Sequence, residues 1–136
     1  MMGCQEYGEI KVFQKNEALF FGFENMSGGG QDKNEYILYS ISVNKEDCAS
    51  NCISWEMTRD VALYDSLEHP LPGSAIEYGI NQEAMHNQAK PEKLMAGSYR
   101  VIANVALLKD GKIVKTDVLT RKFTLVSQGK RLVLRN

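Results

Sequence analysis

Hydrophobic and polar positions alternate most regularly between Leu94 and Leu125. Tyr99, Val101, Ala103, Val105 and Leu107 recur at period two, and Arg100, Ile102, Asn104, Ala106 and Leu108 fill the intervening positions. That is strand spacing, with one apolar face and one mixed face. Asp110-Gly111 then separates the run from a second one, Ile113 to Val126. Both central residues of a type I′ turn need positive φ, which Asp-Gly tolerates, so the stretch predicts a long β-hairpin.

The rest of the chain repeats the pattern in shorter pieces. Glu9–Gln14 and Ala18–Phe23 read as two strands around the turn Lys15-Asn16-Glu17. Glu35–Val43 is the strongest single strand, expected to set Ile37, Tyr39, Ile41 and Val43 on one side. Cys52–Thr58 alternates with Ile53, Trp55 and Met57 inward, Trp55 being a natural core anchor. Val61–Tyr64 suits a short strand or an extended link. Pro70, Pro72 and Gly73 mark a break. Ala75–Ile80 is another strand, and the polar run Asn81–Lys90 reads as a loop or one helical turn. Leu132 and Leu134 suit a last short strand after the turn at Ser127-Gln128-Gly129. Seven or eight short strands without a convincing helix predict an all-β, antiparallel β-sandwich. Leu94, Gly97 and Tyr99 resemble the tyrosine corner that precedes strand F of immunoglobulin-like domains, so the expected sandwich is immunoglobulin-like. Residues 1–8 are then a tether and residues 9–136 one sandwich domain.

Composition adds little to this picture, but charge distribution adds something. The 136 residues carry a formal net charge of −1, which leaves no nucleic-acid footprint. The balance is uneven, however. Between Lys109 and Arg135 stand eight Lys or Arg against two acids, Asp110 and Asp117. One reading is a solvated strand whose edge lysines discourage aggregation. The other is a patch for an acidic partner.

The three cysteines fall at positions 4, 48 and 52. Cys48 and Cys52 lie in a polar setting, and the only histidines that could join them as zinc ligands, His69 and His86, lie well apart from them in sequence. A short-range disulfide is the better reading, and it implies an oxidising compartment. Cys4 is left over. Met1-Met2-Gly3-Cys4-Gln5 has neither the charged nor the apolar region of a signal peptide. Gly3-Cys4 nevertheless resembles the end of a bacterial lipobox, whose cysteine is lipidated. Gln5 in place of Asp then implies the outer membrane. The competing reading is a chance cysteine in a cytosolic chain.

Candidate chemistry is sparse. Ser27-Gly28-Gly29-Gly30 is followed by Gln31-Asp32, not by the Lys-Ser/Thr of a phosphate-binding loop. Neither His69 nor His86 accompanies a nucleophile motif such as G-x-S-x-G. The carboxylates are scattered, with no pair to assign to acid–base work. The expectation is therefore no catalytic residues, no metal, no cofactor and no enzymatic activity.

A broader likeness rests on Ile10-Lys11-Val12 followed by Asn16-Glu17-Ala18-Leu19-Phe20, on Tyr36-Ile37, and on Ile76-Glu77-Tyr78-Gly79. It continues through Ala89-Lys90-Pro91, Leu94, Gly97 and Tyr99 to Phe123-Thr124-Leu125. In these strand-and-turn patterns the chain resembles type VI secretion immunity-type periplasmic lipoproteins of Gram-negative bacteria. The resemblance implies a β-rich periplasmic protein, anchored to the membrane by lipid at Cys4, that binds a protein partner and neutralises a secreted toxin. The alternative is an accessory envelope lipoprotein that joins an assembly through an exposed strand edge. For the first reading, loops 24–34 and 81–90 are where recognition is expected.

Overall fold

The structure, a computed structural model, describes residues 10–23, 35–46, 48, 52–71 and 75–135. Nine strands run through these residues: β1 Lys11–Lys15, β2 Ala18–Gly22, β3 Glu35–Lys45, β4 Ile53–Arg59, β5 Ala75–Glu77, β6 Met85–Ala89, β7 Gly97–Lys109, β8 Lys112–Gln128 and β9 Arg131–Arg135. They form a three-stranded sheet, β1-β2-β5, and a six-stranded sheet, β6-β4-β3-β7-β8-β9. Every pairing is antiparallel. In immunoglobulin lettering the small sheet takes the order A-B-E, and β3-β7-β8 takes C-F-G. β4 and β6 extend the large sheet beyond β3, and β9 extends it beyond β8.

The inner faces of the two sheets enclose one core. Val12, Leu19 and Phe21 face Ile41, Val43, Trp55, Met57 and the odd-numbered positions of β7. Phe21 and Phe123 meet across the sandwich with ring centroids 6.0 Å apart, and Phe123 stacks on Tyr99 at 5.4 Å. Burying each such aromatic side chain contributes roughly 2–3 kcal/mol, so this column binds the sheets together.

The β7–β8 hairpin follows its sequence pattern closely. Asp110 and Gly111 have φ of 53° and 74°, and the strands pair from Gly97 with Leu125 to Lys109 with Lys112. Tyr99, Val101, Ala103, Val105 and Leu107 are all buried.

Three local expectations are corrected. Among the described residues there are nine strands, not seven or eight, because Met85–Ala89 forms β6 where a loop or helical turn was expected. Its polar residues suit an edge strand, of which only Met85 reaches the core. Val61–Leu63 is a single 3-10 turn, neither a short strand nor an extended link. In β3 the pairing shifts between Leu38 and Ser40, leaving Tyr39 as an extra residue. A bulge exchanges the two faces of a strand. Tyr36, Leu38, Ile41 and Val43 therefore enter the main core, while Ile37 and Tyr39 join Ala106 and Leu108 in a small second cluster.

Candidate functional site

The tyrosine corner is built at the start of β7. The Tyr99 hydroxyl donates to the Met95 carbonyl at 2.9 Å and accepts from the Met95 N–H at 3.0 Å. Leu94 packs against the core, and Gly97 has a φ of 149°, inside the range that favours glycine. Tyr99 thus fixes the chain as it crosses into the large sheet. Cys48 and Cys52 stand at disulfide distance, with Cα atoms 5.9 Å apart, at the connection between β3 and β4. Cys4 and the expected recognition loop 24–34 lie outside the described residues. The other expected recognition loop, 81–90, gives its second half to β6.

The histidines occur in two small polar groups. His69 Nδ1 lies 3.2 Å from Glu83 Oε1. His86 is more ordered: Nδ1 is 2.8 Å from Asp60 Oδ1, and Nε2 is 3.1 Å from Thr58 Oγ1 and 3.3 Å from Gln88 Oε1. The Asp60 hydrogen bond raises the His86 pKa above its ordinary value. A charged imidazole donates from both nitrogens, so in that state Thr58 Oγ1 accepts a hydrogen bond from Nε2. The hydroxyl, imidazole and carboxylate are therefore arranged to hold β4 to β6. Among the described residues no group of three His, Cys, Asp or Glu side chains is placed to hold a metal.

Sequence reasoning missed Arg59. It occupies the inward register of Trp55 and Met57 and is 2% exposed. Its Nε donates to the Leu63 carbonyl at 2.9 Å, and Nη2 donates to the carbonyls of Ser66 and Glu68 at 3.1 and 2.5 Å. One buried guanidinium thus holds the segment from Leu63 to Glu68 by its backbone. Hydrogen bonds from a charged donor each contribute about 1.5–3 kcal/mol. The available signal was a lone Arg continuing an inward alternation, with an apolar but prolonged loop after it.

That loop displays apolar side chains to solvent. Val61 is 86% exposed and Tyr64 is 51% exposed. Tyr64 rests against Tyr39, the bulge residue, with ring centroids 5.1 Å apart. Together they line a groove of about 360 Å³ with Asn104, Thr116, Asp117 and Val118. Asn104 Nδ2 donates to Ser40 Oγ at 2.8 Å, which fixes part of the groove wall. Val118 is half exposed. The groove therefore offers two aromatic rings on a backbone held from beneath, with a few polar groups at its side. Aromatic side chains are enriched at the centres of protein–protein interfaces.

No protein-family model matches the chain, and neither the curated proteins nor the solved structures yield a match. The site is therefore read from its own geometry.

Proposed function

We propose that this chain is a non-enzymatic protein-binding module of the bacterial envelope, an immunity-type lipoprotein that neutralises a secreted toxin by contact. The observation that carries the binding role is Tyr64, held beside the Tyr39 groove on a loop that Arg59 fixes through three backbone carbonyls. Preorganisation of this kind reduces the ordering cost of association. The Cys48–Cys52 pair supports an oxidising compartment. Lipidation of Cys4, outer-membrane anchoring and the toxin as partner rest on the sequence resemblance.

Two measurements test the reading. The intact mass of the protein from native membranes should carry a diacyl or triacyl addition on a chain beginning at Cys4. A photo-crosslinking side chain at position 64 should trap a discrete protein partner, and the same group at Lys93 should not. Identical crosslinking patterns at the two positions would rule out the groove as the binding surface. An unlipidated chain with free thiols would remove the envelope assignment.

A further inference from the structure

β8 spans Lys112–Gln128, yet β9 pairs with it only from Thr124 to Gln128. Among the described residues, no strand pairs with the outer edge of β8 from Lys112 to Phe123. Backbone groups of an antiparallel strand point to its two neighbours in alternation. The Val118 N–H is received by the Asp117 carboxylate at 2.9 Å, not by β7. The even-numbered residues Thr116, Val118 and Thr120 therefore turn their N–H and C=O groups outward. The same edge exposes Ile113, Val114 and Val118. It also borders the Tyr39–Tyr64 groove, which Thr116 and Val118 line.

Charge selects the occupant. Lys112, Lys115 and Lys122 are all exposed along this edge, and Lys122 Nζ lies 3.6 Å from Glu46 Oε1. Its one acid, Asp117, is 3.6 Å from Lys115 Nζ and already receives the Val118 N–H. A second copy pairing antiparallel about Val118 would set Lys115 against Arg121, and like charges directly opposite destabilise a strand pair. Centred on Thr116, a second copy would set Lys115 against Asp117, and the excess of Lys over Asp along the edge favours an acidic strand over that single register.

We propose that the open edge of β8 receives an extended acidic segment of the protein partner as an added strand, with one of its apolar or aromatic side chains seated between Tyr39 and Tyr64. This rests on the protein-binding reading and specifies how that binding occurs. Main-chain hydrogen bonds along Thr116–Thr120 supply affinity, and the groove and the lysines supply selectivity. The incoming carbonyl takes the Val118 N–H from Asp117, which keeps its contact with Lys115. Asp117 is thus an intramolecular placeholder that blunts the edge while it is empty.

The test uses the full chain and a displayed library of random extended peptides. Selected peptides should be rich in Asp and Glu around an apolar residue, and should shift the amide resonances of Thr116, Val118 and Thr120. Thr120→Pro removes an outward N–H without removing a bond to β7, so the fold should persist. It should weaken these peptides about tenfold or more, since several main-chain bonds depend on register. Lys112→Glu with Lys115→Glu should weaken them similarly, whereas Asp117→Ala should tighten them. Peptides that bind Thr120→Pro unchanged, or that are neutral or basic, would overturn the edge site while leaving a groove-only binding function intact. A dimer in sedimentation that Thr120→Pro dissolves would assign the edge to a second copy and overturn the acidic segment. Recovery of no peptide at all would count against both the edge and the binding reading.

Discussion

The side-chain amide of Gln14 pairs with the backbone of Leu134 as an adjoining strand would. Gln14 Oε1 accepts the Leu134 N–H at 2.8 Å, and Nε2 donates to the Leu132 carbonyl at 3.1 Å. One residue of the small sheet thereby closes the outer edge of the large one at β9, and Glu17 adds an ion pair to Arg131 at 3.0 Å. Gln14→Ala should cost about 1–2 kcal/mol, for two bonds lost from part-buried backbone groups. Urea midpoints would report it. Amide exchange at Leu134 should accelerate more than at Leu125, which separates local opening of β9 from general weakening.

Tyr99→Phe keeps the ring stacked on Phe123 and deletes only the hydroxyl. Two bonds to Met95 vanish, and the expected cost is about 1–2 kcal/mol. Phe at this position should leave the near-ultraviolet spectrum of the folded chain native-like, because the aromatic column is retained. A change in thermal midpoint within error of zero would show that Tyr99 contributes by packing alone.

His86 gives a pH dependence whose sign follows from its partner. Its pKa is raised by the hydrogen bond to Asp60, with Gln88 adding to the effect and partial desolvation opposing it. A group with a raised folded-state pKa stabilises the native chain fully below its ordinary value of 6.5, and that contribution is lost as pH rises through the raised value. Asp60→Asn should return the His86 titration toward 6.5 and flatten stability across that window. Proton resonances of the imidazole, followed against pH, measure this directly. An unmoved titration in Asp60→Asn would assign the shift to another group.

Arg59→Met retains an unbranched, buried side chain and removes three donors. The carbonyls of Leu63, Ser66 and Glu68 then lose their partner, for a destabilisation of about 3–5 kcal/mol, below the sum of three charged bonds because the freed carbonyls regain water. Limited proteolysis should cut between Val61 and Glu68 first. Arg59→Lys should not restore the loop, because an ammonium lacks the planar fork that reaches several carbonyls at once. Tyr64 rides on this loop, so its ring contact with Tyr39 should be lost with it.

Glu17 sits in a two-residue hairpin turn with a φ of 71°, after Asn16 at 49°. Such a conformation costs a non-glycine residue about 1–2 kcal/mol, while the exposed pair with Arg131 returns at most about 1. Glu17→Gly should therefore raise the denaturation midpoint slightly, and Arg131→Ala alone should change it little.

The long hairpin was legible because its pattern is uninterrupted from Tyr99 to Leu107 and its turn chemistry is local. β3 was legible as a strand but not in its facing. Tyr39 is an extra residue in the ladder, and nothing in EYILYSISV distinguishes a bulge from continued alternation. β6 escaped because an edge strand buries little, so its composition looks like a loop. The groove escaped for a related reason. It joins Tyr39, Tyr64 and Val118, which are brought together by the bulge, by the Arg59 anchor and by the pairing of β7 with β8. Each of those is a long-range consequence of folding. The lysines of the open edge, by contrast, were visible from the start as an uneven charge distribution.

The antiparallel contact between β1 and β9 has a consequence for how the molecule is oriented. As the chain proceeds from Gln14 in β1 to Glu17 in the turn after it, its partners on β9 fall from Leu134 to Arg131. Followed back to Ile10, the chain therefore leads off at the end of the sandwich where β9 finishes and β7 begins. The Asp110-Gly111 tip lies at the opposite pole. Thirteen residue steps of β8 from Leu125 to Lys112, at roughly 3.3 Å each, separate the two ends by roughly 40 Å. Ile10 and the Asp110-Gly111 tip thus stand at opposite poles of the sandwich, with Thr116–Thr120 of β8 and the tyrosine groove between them, nearer the tip.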